Sequence, residues 1–161
     1  MNRRYRILCA LLFAAMAAAG IHAQTLEVIN AEGHSTIITA AQIASLPHVT
    51  LDVSDHDTPA KFDGIPLSAV LSFAGVPLGD ALRGARLTEV LLVSASDGYH
   101  VAYALAEIDP AFAVREIILA DKRDGKVLGP KEGPYRVLAP GDKRPARWIR
   151  QVTELKVTAV K

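Results

Sequence analysis

The chain has 161 residues, half of them hydrophobic and 22% charged, with a formal net charge of +1 at neutral pH. That balance gives no sign of the strongly basic face by which proteins usually meet nucleic acid, and no nucleic-acid partner is expected. The only cysteine is Cys9, so nothing beyond residue 9 can supply a disulfide, a thiolate nucleophile or a thiolate metal ligand.

The chain opens on Arg3, Arg4 and Arg6, continues through the apolar run Ile7 to Gly20, and reaches the small-residue stretch Ile21-His22-Ala23. This order is that of a secretory signal peptide cut after Ala23. The apolar run is shorter than the ~20 residues that span a bilayer, which disfavours the alternative of an uncleaved anchor. The residues around Arg3-Arg4 fit a twin-arginine signal poorly, so the ordinary secretory route is expected. Residues 1–23 are then a removed signal, and residues 24–161 a periplasmic or secreted product with no membrane span after cleavage. Those 138 residues carry 15 basic and 17 acidic side chains. They suit one domain that buries roughly two-thirds of its unfolded surface.

Thr25 to Asn30 alternates as a strand, Glu32-Gly33-His34 is a turn, and Ser35 to Ile38 is a second short strand. Thr39 and Gln42 stand at capping-box spacing, flanked by the staple pair Ile38 and Ile43, so a short helix begins here and ends before Pro47. Val49, Leu51 and Val53 alternate on one face of a third strand. Asp55 to Pro59 is expected to be a polar loop, and Phe62 to Ile65 a lead into a helix with Pro66 near its first position. Leu67, Val70, Leu71 and Ala74 form that helix's buried stripe, and Gly75 ends it. Val90 to Ala95 is a buried central strand. Asp97-Gly98 is a turn signal, so Leu91 to Tyr103 is a hairpin. Leu105 to Phe112 is a short helix or turn broken by Pro110, and Ile117 to Ala120 is a buried strand. After the Asp124-Gly125 turn, Tyr135 to Leu138 and Gln151 to Val160 are strands, the last one closing the sheet. The expected fold class is α+β, a mixed β-sheet domain with a few short helices.

Candidate chemistry is sparse. Asp52, Asp55, His56 and Asp57 offer metal-ligand atoms within six residues, but the spacing matches no calcium loop or zinc motif, and a solvated polar loop explains them as well. His34 and His48 follow turn residues and suit the surface; His100 could face a cleft. Ser94 and Ser96 lie near Asp97 and His100, yet no nucleophile elbow surrounds them, and a hairpin turn accounts for the pattern. No glycine-rich phosphate loop opens a helix. Near the end, Arg136, Lys143, Arg144, Arg147 and Arg150 fall within fifteen residues, with Trp148 among them. Guanidinium groups suit phosphate or carboxylate, and an indole stacks on a ring, so this region fits a small anionic or heteroaromatic ligand. The alternative is a structural loop in which Trp148 fills core and the arginines pair with acids.

Several stretches share an order and spacing with a known family. They are Phe62-Asp63-Gly64-Ile65-Pro66-Leu67, Ala74-Gly75, Ser96-Asp97-Gly98-Tyr99, Ile118-Leu119-Ala120, Asp124-Gly125, Val127-Leu128, Gly133 to Gly141, and Arg147-Trp148-Ile149. Together they resemble the molybdopterin-binding domain of the sulfite oxidase family, from about Phe62 to Val160. The resemblance implies a sulfite oxidase-like fold and a pterin-linked molybdenum centre, with molybdopterin as the possible cofactor. By position it places Arg136 on the arginine of the family's Arg-x-x-x-Pro-Gly stretch, and Arg147-Trp148 on a basic-Trp pair close to the cofactor. The family's catalytic members also ligate molybdenum through a cysteine upstream of the Phe-x-Gly-x-Pro-Leu stretch. Here the corresponding region, Leu51 to Lys61, has Ser54, Asp55 and His56 but no cysteine.

Three readings follow: an exported non-redox module that binds a small anionic or pterin-like ligand or a periplasmic protein partner; a molybdopterin-dependent oxidoreductase with an atypical ligand or a site completed by a partner subunit; and a structural protein with an empty pocket. The first is favoured, with no catalytic residue assigned and no metal ligand. The expected ligand-binding residues are Arg136, Arg147, Trp148, Tyr99 and His56, gathered where the Gly141 to Arg147 loop meets the Ser96 to Tyr99 turn and the loop around His56.

Overall fold

A computed structural model describes residues 24–160. The signal assigned to residues 1–23 lies outside them. Among the described residues no helix is long and apolar enough to cross a membrane.

Ten strands form two five-stranded sheets rather than the single sheet expected. The first sheet contains β1 (Thr25–Ile29), β2 (Ser35–Thr39), β5 (Glu89–Ala95), β6 (His100–Ala104) and β10 (Val152–Ala159), in the order β2-β1-β10-β5-β6. The second contains β3 (Val49–Asp55), β4 (Thr58–Pro66), β7 (Ile118–Arg123) and β8 (Lys126–Val127) in that order, with β9 (Arg136–Leu138) also paired to β7. Three short helices complete the domain: α1 (Ala40–Ser45), α2 (Leu67–Phe73) and α3 (Leu105–Ile108). The fold is α+β, as expected. One apolar cluster draws on both sheets, with Leu26, Leu91, Val93 and Leu155 from the first and Phe62, Ile65, Leu119 and Val137 from the second.

Most elements form for the reasons legible in the sequence. The Gln42 amide donates to Thr39 Oγ1 at 3.3 Å while Gln42 Oε1 accepts from the Thr39 amide at 2.9 Å, a closed capping box. Ile38 and Ile43 are both buried beside it. Gly75, at φ +80°, ends α2 in the left-handed region.

Two expectations are corrected. Asp55 to Pro59 is not a loop. Asp55 ends β3, Thr58 begins β4, and His56 (φ 50°) and Asp57 (φ 64°) make the two-residue turn between them. Two central residues in the left-handed region match the twist of the flanking strands. Gln151 to Val160 does form a strand, but in the middle of its sheet, parallel to β1 and antiparallel to β5.

Candidate functional site

The site is built on charge pairs that fix three loops. Arg136 leaves β9 with its side chain only 4% exposed. Its guanidinium grips the Asp55 carboxylate through two bonds, NH1 to Oδ2 at 2.9 Å and NH2 to Oδ1 at 3.0 Å, and NH1 also donates to Glu132 Oε1 at 2.6 Å. Arg123 adds a second cation, its NH1 3.3 Å from Asp55 and 3.2 Å from Glu132. Both guanidinium carbons lie over the Phe62 ring, at 5.3 and 5.4 Å. The paired Arg136 holds the Asp55 carboxyl below its ordinary range, against the burial that would raise it. One nitrogen of Arg136 is left over: Nε is buried and has no hydrogen-bond partner.

Trp148 is buried, with its indole N–H donating to the Ala139 carbonyl at 2.9 Å. Arg147, one residue earlier, turns to the opposite side. Its Nε and NH2 donate to the two oxygens of Asp142 at 2.8 and 2.7 Å, and NH1 donates to Glu107 at 2.9 Å and to the Ala102 carbonyl at 3.2 Å. Its guanidinium lies 4.5 Å from the Tyr103 ring. Arg115 joins the same group, paired to Glu107 and to Asp142. Hydrogen bonds from Arg147 depress the Asp142 carboxyl, and burial pushes the Tyr103 hydroxyl up. Two tyrosines pin this loop to the β5–β6 hairpin: Tyr99 donates to the Ala146 carbonyl at 3.0 Å, and Tyr103 to the Arg147 carbonyl.

Four of the five expected residues, His56, Tyr99, Arg136 and Trp148, line one cleft of about 680 Å³. The convergence of the 141–147 loop, the 96–99 turn and the His56 turn is therefore found. Arg147 is not on that cleft; its guanidinium is held by Asp142 and Glu107. Sequence reasoning missed Lys131 and Arg150, which line the cleft and have no carboxylate within salt-bridge distance among the described residues. Arg150 lay inside the recognised basic cluster, whereas nothing local marked Lys131. His100 stands elsewhere, its Nδ1 3.0 Å from Ser94 Oγ, and Ser94 in turn donates to Glu154 at 3.3 Å. The acid therefore contacts the serine rather than the histidine, which is not the order of a nucleophilic triad.

The donors present do not fit a thiolate-bound molybdenum. Residues 24–160 contain no cysteine. Asp55, in the stretch where the family resemblance would require one, is committed to Arg136. Among the described residues no three histidine or carboxylate side chains gather as metal ligands, so Asp52, Asp55, His56 and Asp57 do not converge on one point. A hard carboxylate is also a poor substitute for a soft, electron-donating thiolate.

No protein-family model matches the chain, and no curated protein does. Among solved structures the chain is similar to the sulfane dehydrogenase SoxCD from Paracoccus pantotrophus, with a TM-score of 0.62 and 16% identity over 83% of this chain. The chain spans 38% of that protein's chain, and at this identity the likeness shows the fold alone.

Proposed function

We propose that this chain is an exported, non-redox domain that keeps a sulfite oxidase-like fold and uses the His56–Tyr99–Trp148 cleft to bind a small anionic ligand. One observation carries the reading: a cleft walled by Tyr99 and Trp148 holds two cations, Lys131 and Arg150, that no carboxylate pairs within salt-bridge distance among the described residues. The absence of a thiolate supports the non-redox part. The fold's likeness to a dehydrogenase favours a second reading, an oxidoreductase domain whose site is completed by a partner subunit.

Elemental analysis and pterin fluorescence on protein purified from its native compartment separate the two. The expected result is no stoichiometric molybdenum, no sulfite oxidation and no sulfoxide reduction. Near-equimolar molybdenum that survives dialysis overturns the first reading. In the same preparation, phosphate and small carboxylates should raise the melting temperature, and Lys131→Ala with Arg150→Ala should abolish the effect. Mass spectrometry of the exported species should give a chain beginning at Gln24; a membrane-bound species retaining residues 1–23 would refute export by cleavage.

A further inference from the structure

The cleft does not end at Trp148. A second hollow of about 540 Å³ adjoins it, and His56, Pro145 and Trp148 line both. The two lobes differ in charge. The first presents Lys131, Arg136 and Arg150 against the single carboxylate Asp97. The second presents Asp52, Asp57 and Asp142 against Lys143. Pairing within the chain leaves this contrast in place. Asp97 accepts from the Tyr99 amide, Asp142 is held by Arg147 and Arg115, and Arg136 is held by Asp55 and Glu132. Lys131, Arg150 and Asp97 remain in one lobe, a net positive set, because a backbone amide leaves the Asp97 charge in place. In the other remain Asp57, Lys143 and Asp52, the last only 3.7 Å from Lys61 in a solvent-exposed pair. The shared wall between them carries the His56 imidazole, Pro145 and the small accessible edge of Trp148.

A simple anion would use only the first lobe. A molecule with opposite charges at its two ends would use both. We propose, on the reading of this cleft as a ligand site, that its ligand is an extended zwitterion, a short peptide with free termini. The carboxylate lies at Lys131 and Arg150. The ammonium lies at Asp52 and Asp57, and an apolar middle residue rests on Pro145 and Trp148. All four charged positions are exposed, so neutral substitutions there leave the fold intact.

The test titrates residues 24–161 with the tripeptide Ala-Phe-Ala, its N-acetyl form and its C-terminal amide, using calorimetry. Each blocked form should bind about tenfold more weakly than the free peptide, the loss of one charge-assisted contact. The pair Asp52→Asn and Asp57→Asn should weaken the free peptide as much as acetylation does and leave the acetylated peptide unchanged. Arg150→Ala should stand in the same relation to the amide. If the N-acetyl peptide binds as tightly as the free one, or if phosphate binds and no peptide does, the dipolar assignment is overturned while the anion-binding cleft stands. If neither peptides nor phosphate nor benzoate bind, both fall.

Discussion

Trp148 and Arg136 show how a side chain's partners decide its role. The indole fills the space between β9 and the 139–147 loop, satisfies its N–H on Ala139, and lies 6.0 Å from the Arg136 guanidinium. Trp148→Ala removes a large buried ring and should cost about 3 kcal/mol, measurable by urea denaturation. A change within about 0.5 kcal/mol would mark a surface position and return Trp148 to pure ligand stacking. The carboxylates that hold the arginines make a separate prediction. Asp55 and Asp142 both have pKa values held below the ordinary carboxylate range, first through hydrogen bonds from Arg136 and Arg147. A carboxyl whose folded pKa is depressed binds fewer protons folded than unfolded. Its contribution is therefore complete above the unfolded value of about 3.9 and lost as pH falls through the folded one. Stability should drop below about pH 4. Asp55→Asn should be less stable at neutral pH and should show a shallower acid loss. An unchanged pH profile in that variant would mean that Asp55 does not carry the effect. The basic cluster was legible in the sequence as residue types; its pairing was not. Arg136 and Asp55 are far apart in the chain, and only the approach of β9 to the end of β3 tells a paired guanidinium from a free one.

Among the elements, β4 is the instructive one. Pro59, Asp63, Gly64 and Pro66 disguise a nine-residue strand as a loop and a helix entry. The prolines fall near its two ends. The interior pairs on both sides, with β3 and, from Phe62 onward, with β7 across a register shift between Asp63 and Gly64. Gly64 has a packing reason rather than a conformational one: a Cβ there would lie 2.5 Å from Ala120 Cα and from the Leu119 carbonyl oxygen. Backbone cannot retreat as a flexible side chain does. Gly64→Ala should therefore destabilise by about 3 kcal/mol, the upper part of the range for overpacking. A neutral result in thermal melts would show that β4 and β7 can separate without loss. The helix cap at Thr39, the hairpin at Asp97-Gly98 and the stripe of α2 were legible because each is local. The order of strands was not, since the parallel pairing of β1 with β10 depends on contacts between the two ends of the described chain.

At the scale of the whole molecule, that pairing joins the two ends of the described chain in the first sheet, and the path between them interleaves the two sheets. Sheet membership alternates along the chain: β1 and β2 go to the first sheet, β3 and β4 to the second, β5 and β6 to the first, β7 to β9 to the second, and β10 returns to the first. Neither sheet can form from one continuous segment, and the apolar cluster is shared between them. The cleft inherits this arrangement. His56 comes from the β3–β4 turn of the second sheet and Tyr99 from the β5–β6 hairpin of the first, with Trp148 on the connection that leads from one to the other. A fold so interleaved should unfold in one step, as small single domains generally do. Trp148 is the sole tryptophan, so its fluorescence reports this connection, while far-UV circular dichroism reports both sheets. The two urea transitions should superpose. A fluorescence change that precedes the loss of ellipticity would show that the 139–151 connection opens on its own, and the cleft would then be a separately mobile part rather than a fixed product of the fold.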